Sequence, residues 1–492
     1  MSLIRKLAGQ TAIYGLSTIL GRFLNYLLVP LYTAVLADAA DYGIVTQLFA
    51  YSGFVMVLFS YRMESAYFRF GTPIEQREKA YATGMGSLWV TSLFLSSCLF
   101  LFSEPIATAL RLEDHPNFIR YFALIIGLDA LCELPFARLR LEQKPLTFVA
   151  VKLTNIGINI GLNLFWLLFC PWASSQGWRW VHTVWTPEHP VQYIFLANLF
   201  ASAATLIMLS PYLRVYRGRF DWPLLKDMIR YAAPLIVVSL AGIVNEMLDR
   251  SILIYLLPGD ELANRAQLGI YGANYKLAML ISLFTQAYRY AAEPFFFRVS
   301  TEKDSPAVLA KAAEWFTLAT SAAMLGILLF LPLIKHFLRN PAYHEGLGVV
   351  PILLLANVIL GIYYNFSVWF RLKDKTQTGA WIALAGAVVT IVLNIALIPN
   401  MGYYGSAWAT LGCYTLMAGL TWHLGRKHLP VPYPLSRMAL YIAAALFAYT
   451  LDQLFSGYLP SWGQWAARTI LMVSYLYAFT RKHLPVGTSR YA

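Results

Sequence analysis

Charge is scarce in this chain. Asp, Glu, Lys and Arg make up 13% of its 492 residues, against roughly 25% in soluble domains. That is too little to coat a water-facing surface, which excludes an ordinary soluble enzyme and a disordered regulator. Cysteine is scarce too. The four present, Cys98, Cys132, Cys170 and Cys413, lie in apolar stretches and form no CxxC pair. Such placement excludes a disulfide scaffold and a thiolate metal site, and leaves them as small core residues. GxxxxGK[ST] and HExxH are both missing, so neither a P-loop nor a zinc-protease helix is expected. The expected cofactor and metal content is none.

Apolar residues are what the chain has. They reach 58%, with 15% aromatic, and the mean hydropathy is +0.55. This composition predicts an all-α, polytopic membrane protein. A helix crossing hydrocarbon needs about 20 mostly apolar residues, and about 14 segments qualify. They are 10–36, 43–61, 81–103, 118–136, 148–170, 191–213, 231–257, 269–292, 312–335, 348–370, 379–399, 403–423, 438–455 and 464–480. The first starts with Arg5 and Lys6, as a signal peptide would. It is too long for one and has no small-residue cleavage site, so it reads as a retained helix.

The net charge is +13. Its placement accounts for it without a nucleic-acid partner. Alternate loops, counted from the N-terminus, hold roughly 26 of the 38 Lys and Arg, and the opposite loops hold about six. The rich loops include Arg62, Arg69, Arg77 and Lys79, then Arg138, Arg140 and Lys144, and the run 214–230. The positive-inside rule then puts both termini in the cytoplasm. Among the opposite loops, 171–190 carries Trp172, Trp178, Trp180 and Trp185. An interfacial segment is the first reading for it, with sugar stacking as the second.

The chain echoes itself. Ala40-Asp41-Tyr42-Gly43-Ile44 is echoed about 226 residues later by Gln267-Leu268-Gly269-Ile270-Tyr271, and a Pro-containing helix precedes each, with Pro30 and then Pro234. A second echo pairs Asn159 and Asn163 with Asn394. These predict two pseudo-symmetric six-helix lobes plus two C-terminal helices. The N-terminal lobe is 1–213, a cytoplasmic linker 214–230, the C-terminal lobe 231–423, and the last pair with the tail 424–492. Transporters are often built from such repeats.

Ionisable groups inside spans are costly and tend to face a cavity or each other. Arg22 lies halfway along the first span, near Asn25. Its depth favours a hydrated cavity, where a guanidinium suits phosphate or carboxylate. Asp129 and Glu133 share a face of the fourth span. Lys152, Asn155, Asn159 and Asn163 form a polar stripe on the fifth, at helical spacing. Such a stripe also serves as helix–helix glue. Glu246, Asp249 and Arg250 cluster with Asn245 in the seventh span, and Lys276, Gln286, Arg289 and Glu293 follow in the eighth. Glu246 and Asp249 are candidates for a coupling-ion site, and Arg250 for a structural pair with Asp249. Lys152, Arg289 and Glu293 also lie where a side chain can snorkel to headgroups. Asn365-Phe366-Ser367 fits the glycosylation pattern but falls inside a span and is discounted.

Several of these segments in combination resemble a known family. They are Tyr14-Gly15-Leu16-Ser17-Thr18-Ile19-Leu20-Gly21-Arg22, Val29-Pro30-Leu31-Tyr32 and Asp41-Tyr42-Gly43 in the opening. Asp249-Arg250, Gly269-Ile270-Tyr271, Tyr275-Lys276-Leu277 and Pro294-Phe295 follow, then Leu393-Asn394, Ile398-Pro399 and the run 402–410. In this order they resemble the polysaccharide flippases of the multidrug/oligosaccharidyl-lipid/polysaccharide exporter superfamily over nearly the whole chain. The resemblance implies a bacterial inner-membrane transporter, not an enzyme. It implies alternating access, which would move an undecaprenyl-pyrophosphate-type lipid-linked oligosaccharide outward for surface polysaccharide synthesis. Its partners would be that substrate, membrane lipids and polysaccharide polymerase machinery. In related lipid II flippases a first-helix arginine contributes to a cationic cavity, and Arg22 takes the matching place. Arg22, Asn25, Lys152, Asn155, Asn159 and Lys276 are the expected cavity residues.

Two other readings compete. A cation-coupled multidrug exporter of the same superfamily would want acids in the N-terminal lobe, and Asp129 and Glu133 supply them. Arg22, and the lack of an acid in the first helix, count against it. A membrane glycan polymerase or glycosyltransferase would want a large outer loop, and none exceeds about 20 residues by the span boundaries above.

Overall fold

Backbone polar groups in hydrocarbon must be satisfied within the segment, which leaves helices as the building material for apolar spans of this length. The computed structural model describes residue 15 and residues 19–213, 219–299 and 305–481. The first residues of the first span, Tyr14 and 16–18 of the resemblance, linker residues 214–218, Lys303 and the tail from Lys482 lie outside them.

A helix occupies each of the fourteen expected segments. They are α1 (Ile19–Val35), α2 (Ala39–Gly71), α3 (Ile74–Leu101), α4 (Pro116–Leu141), α5 (Pro145–Ser175), α6 (Pro190–Met208) and α7 (Trp222–Leu256). Then come α8 (Glu261–Val299), α9 (Ser305–Leu329), α10 (Pro341–Leu372), α11 (Thr376–Met401), α12 (Tyr403–His428), α13 (Leu435–Phe455) and α14 (Ser461–Thr480). Among the described residues, nine helices are long and apolar enough to cross a membrane, and α1 is a shorter apolar helix. Of the rest, α4 carries Arg120, Asp129, Glu133, Arg138 and Arg140 along its length. The chain is a multi-pass, all-helical membrane protein.

Two compact units divide it. The first holds residues 1–273, 338–345 and 390–406; the second holds 274–337, 346–389 and 407–492. In the first, the two echo segments meet. A Cβ on Gly43 would overlap the Arg265 carbonyl, and one on Gly269 would overlap the Ala39 carbonyl. A Cβ on Gly272 would overlap the Thr46 side chain. Small residues let helices approach this closely where lipid supplies no hydrophobic drive.

One end of the first unit is tied by ion pairs. Glu78 and Glu142 both bind Arg138 at 2.6 Å, Glu142 also binds Lys144 at 2.7 Å, and Glu64 binds Arg140. Lys79 binds Asp221 at 2.5 Å. Asp221 caps α7, accepting from the Leu224 N–H at 2.7 Å. The Lys79 hydrogen bond, and then that N–H, hold the Asp221 carboxyl below its ordinary value. At sequence level these cations read only as topology markers; in the structure they bind neighbouring acids.

In α5, a π turn spans Phe165–Phe169, with the Cys170 N–H bonded to the Phe165 carbonyl. Beyond it, Trp172, Trp178 and Trp180 surround Phe169 at ring distances of 5.8, 6.0 and 6.3 Å. All three indoles are exposed.

Candidate functional site

The first helix breaks beside its polar residues. Helical turns run to Tyr26, Leu27 and Leu28 form a turn, and the helix resumes at Val29. Pro30 cannot donate to the ladder, and the Leu28 N–H bonds the Asn25 carbonyl, three residues back, at 3.2 Å. Gly21 brings α1 against α5: a Cβ there would stand 2.8 Å from Ile156 Cδ1.

The α5 stripe faces that break. Asn159 Nδ2 donates to Asn25 Oδ1 at 3.4 Å. Asn155 Nδ2 donates to Thr205 Oγ1 of α6 at 2.9 Å. Asn163 Nδ2 donates to Asn159 Oδ1 at 3.0 Å and to its carbonyl at 2.8 Å. Asn163 is fully buried, yet its Oδ1 finds no donor among the described residues. Arg22, one turn before Asn25, is exposed. Lys152 Nζ lies 4.2 Å from the centre of the Phe136 ring. It and Ser202 lie beside Asp129. Glu133, one turn further on, has different neighbours: Ser60, Glu64, Arg62 and Arg140. The first unit thus brings together an amide ladder, a neighbouring acid and lysine, and the exposed Arg22 guanidinium.

The α7 cluster splits. Asp249 is buried and accepts from the Arg250 N–H at 2.8 Å, Arg250 Nε at 3.2 Å and the Tyr271 hydroxyl at 2.6 Å. Arg250 also donates to the Glu246 carbonyl. The structure therefore places Asp249 and Arg250 in one ion pair. Glu246 is exposed. Asn245 Oδ1 accepts from Thr390 Oγ1 of α11 at 3.2 Å, and Asn394 Nδ2 donates to the Thr390 carbonyl at 2.8 Å. Asn394 repeats the Asn163 arrangement. It is fully buried, bonds four residues back, and its Oδ1 has no donor among the described residues.

Lys276 lies in the second unit, half-buried on α8. Sequence reading missed a second polar ladder there. Asn357 of α10 bonds Ser282 of α8, and Asn365 accepts from the Tyr288 hydroxyl at 2.7 Å. Each amide also donates four residues back, at 2.8 and 3.0 Å. The steps of four from Asn357 through Gly361 to Asn365 carried the signal, but Asn365 was weighed only as a glycosylation acceptor.

No protein-family model matches the chain. An uncharacterized membrane protein of Bacillus subtilis (strain 168), YabM, is 25% identical over 255 residues. That stretch is 50% of this chain and 47% of the relative, so the match spans about half of each. Among solved structures, lipid II flippase MurJ in an inward closed conformation is similar with a TM-score of 0.69 at 12% identity. It covers 95% of this chain and 99% of that one. An inward-facing multidrug resistance MATE transporter of the MOP superfamily has a TM-score of 0.59 at 14% identity, covering 90% and 96%. An outward-facing multidrug resistance MATE transporter gives 0.57 at 14%, covering 89% and 96%. The chain has the fold shared by the lipid II flippase MurJ and the MATE transporters.

Proposed function

We propose that this protein is a flippase that carries a lipid-linked oligosaccharide across the bacterial cytoplasmic membrane by alternating access. The observation that carries the reading is the seam of α1 and α5. Arg22 stands exposed one turn from an amide ladder that runs from Asn25 through Asn159 to Asn163. A sugar headgroup cannot enter hydrocarbon unaided, because each unpaired hydroxyl costs several kcal/mol. Amides replace those hydrogen bonds, and a guanidinium fits a pyrophosphate bidentately. Lys152 adds a second cation beside Asp129. Both termini would face the cytoplasm, following the basic loops.

Coupling falls to Glu246, the exposed acid one turn from the buried Asp249–Arg250 pair. Asp249 would then act by holding Arg250 and Tyr271. A multidrug exporter is the second reading, favoured by Asp129, a half-buried acid in the first unit.

Mass spectrometry of lipid-linked glycans in cells with and without the gene tests the proposal. Build-up of a lipid-linked oligosaccharide on the cytoplasmic side, with loss of surface polymer, is the expected result. Unchanged glycans together with slowed dye efflux in the deletion strain would establish the exporter instead.

A further inference from the structure

In the first unit, the turn that leads into α4 and the first turn of α8 border an open pocket of about 300 Å³. That is the lower end of the size range of small-molecule sites. Glu113, Asp114 and His115 line it on one side, and Glu261 and Arg265 on the other, with the exposed Leu262 beside them. The two sides come from the two halves of the sequence. Arg265 ties them together, since its Nη2 donates to the Glu261 carboxylate at 2.5 Å and to the Arg111 carbonyl.

These groups are mixed in kind. Glu113 and Asp114 are exposed and form no ion pair among the described residues, so both offer acceptor oxygens. Arg265 supplies donors. Its Nε is buried and has no acceptor among the described residues, which costs stability until a hydroxyl or water accepts from it. Burial pushes the His115 imidazole below its ordinary value, against the pull of Asp114, and leaves it neutral at pH 7. A neutral imidazole carries one donor and one acceptor. Its ring stacks on Phe118 of α4 with centroids 4.9 Å apart, which sets its plane.

The mixture selects among ligand classes. A phosphate or carboxylate would meet the acids Glu113, Asp114 and Glu261 against a single arginine. A bare metal ion lacks a cage, because no group of three or more His, Cys, Asp and Glu among the described residues could hold one. An ammonium ion would use the acceptors, and the Arg265 guanidinium would repel it. A sugar uses every group, since each of its hydroxyls both donates and accepts. Its C–H face has Leu262 to pack on.

We propose that the pocket between Asp114 and Arg265 binds a sugar ring of a glycan on the outer side of the membrane. The sugar chemistry stands on the pocket alone, and the outer side follows from the placement of the basic loops. That the glycan is one this protein has carried across rests on the flippase reading.

Saturation-transfer NMR titration of the full-length protein in nanodiscs tests this, with glucose, galactose, N-acetylglucosamine and tetramethylammonium as probes. At least one of the sugars should bind. Asp114→Asn should raise its Kd by about tenfold or more, the usual weight of a charged hydrogen bond. Glu113→Gln should weaken binding in the same direction and serves if Asp114→Asn does not fold. Failure of all the sugars to bind the wild-type protein would overturn the proposal. Binding of tetramethylammonium alone would overturn it in favour of a cation. Unchanged Kd values in folded Asp114→Asn and Glu113→Gln would put the sugar elsewhere and overturn the pocket. Sugar binding that depends on Asp114, in a protein whose deletion leaves lipid-linked glycans unchanged, would sustain the pocket and remove its tie to flipping.

Discussion

Gly269 and Gly43 share one crossing point: a Cβ on Gly269 would stand 2.9 Å from the Gly43 backbone nitrogen, with the Ala39 carbonyl closer still. The obstacle on both sides is backbone, which cannot rotate away. Gly269→Ala or Gly43→Ala should therefore destabilise the protein by about 1–3 kcal/mol, the usual cost of overpacking. Thermal unfolding in detergent would show it. Gly157 and Gly419 have open space around them, and alanine there should leave the midpoint unchanged.

Arg22 is exposed and carries no ion pair among the described residues, so its removal should not unfold the chain. Arg22→Ala should abolish glycan export while expression and insertion stay normal. Export at the wild-type level by a well-expressed mutant would take Arg22 out of the mechanism.

Asp452 of α13 and Arg468 of α14 form a buried pair at 3.0 Å, both nearly inaccessible. Arg468→Leu alone should cost about 3–5 kcal/mol, because it strands a buried carboxylate. Asp452→Leu combined with Arg468→Leu should recover most of that loss. A double-mutant cycle on thermal stability measures the coupling. Additive single effects would contradict it.

Asp249→Asn removes the carboxylate that holds both Arg250 and Tyr271. It should lower stability and impair transport together. Glu246→Gln, on the exposed side of the same helix, should spare stability and flatten the pH dependence of transport. If both variants lose stability alike, Glu246 is a packing residue.

Asp221 has a carboxyl pKa below its ordinary value because of Lys79 and the Leu224 N–H. Its contribution to stability is then present above the unfolded aspartate pKa of about 3.9. It is lost as pH falls through the lower native value. Lys79→Gln should shrink the difference in melting temperature between pH 6 and pH 3. An unchanged difference would show that the pair adds nothing.

The spans were legible because an apolar run of some 20 residues has few alternatives, and a helix stands at all fourteen positions. The α5 ladder was legible too, since steps of three and four place Asn155, Asn159 and Asn163 on one face whatever surrounds them. What faces each polar group was not. Arg289 could be read as a snorkelling side chain because its stacking partner Tyr364 lies 75 residues away. Glu133 shares a helical face with Asp129, yet it finds Ser60 of α2 while Asp129 finds Ser202 of α6. Spacing fixes the face of a helix; the neighbour that covers it depends on packing between segments far apart in sequence.

The π turn at Phe165–Phe169 divides α5 into two surfaces. A surplus residue in one turn rotates everything beyond it by about 100° around the axis. The amide ladder ends at Asn163, just before the π turn, and Phe169 and Trp172 emerge on another quarter of the same rod. Deleting one residue between 165 and 169 would leave the ladder in place and swing the indole cluster around the axis. The turn is a phase boundary: before it the helix offers hydrogen bonds to α1 and α6, and beyond it rings that cluster with the indoles of the segment that follows.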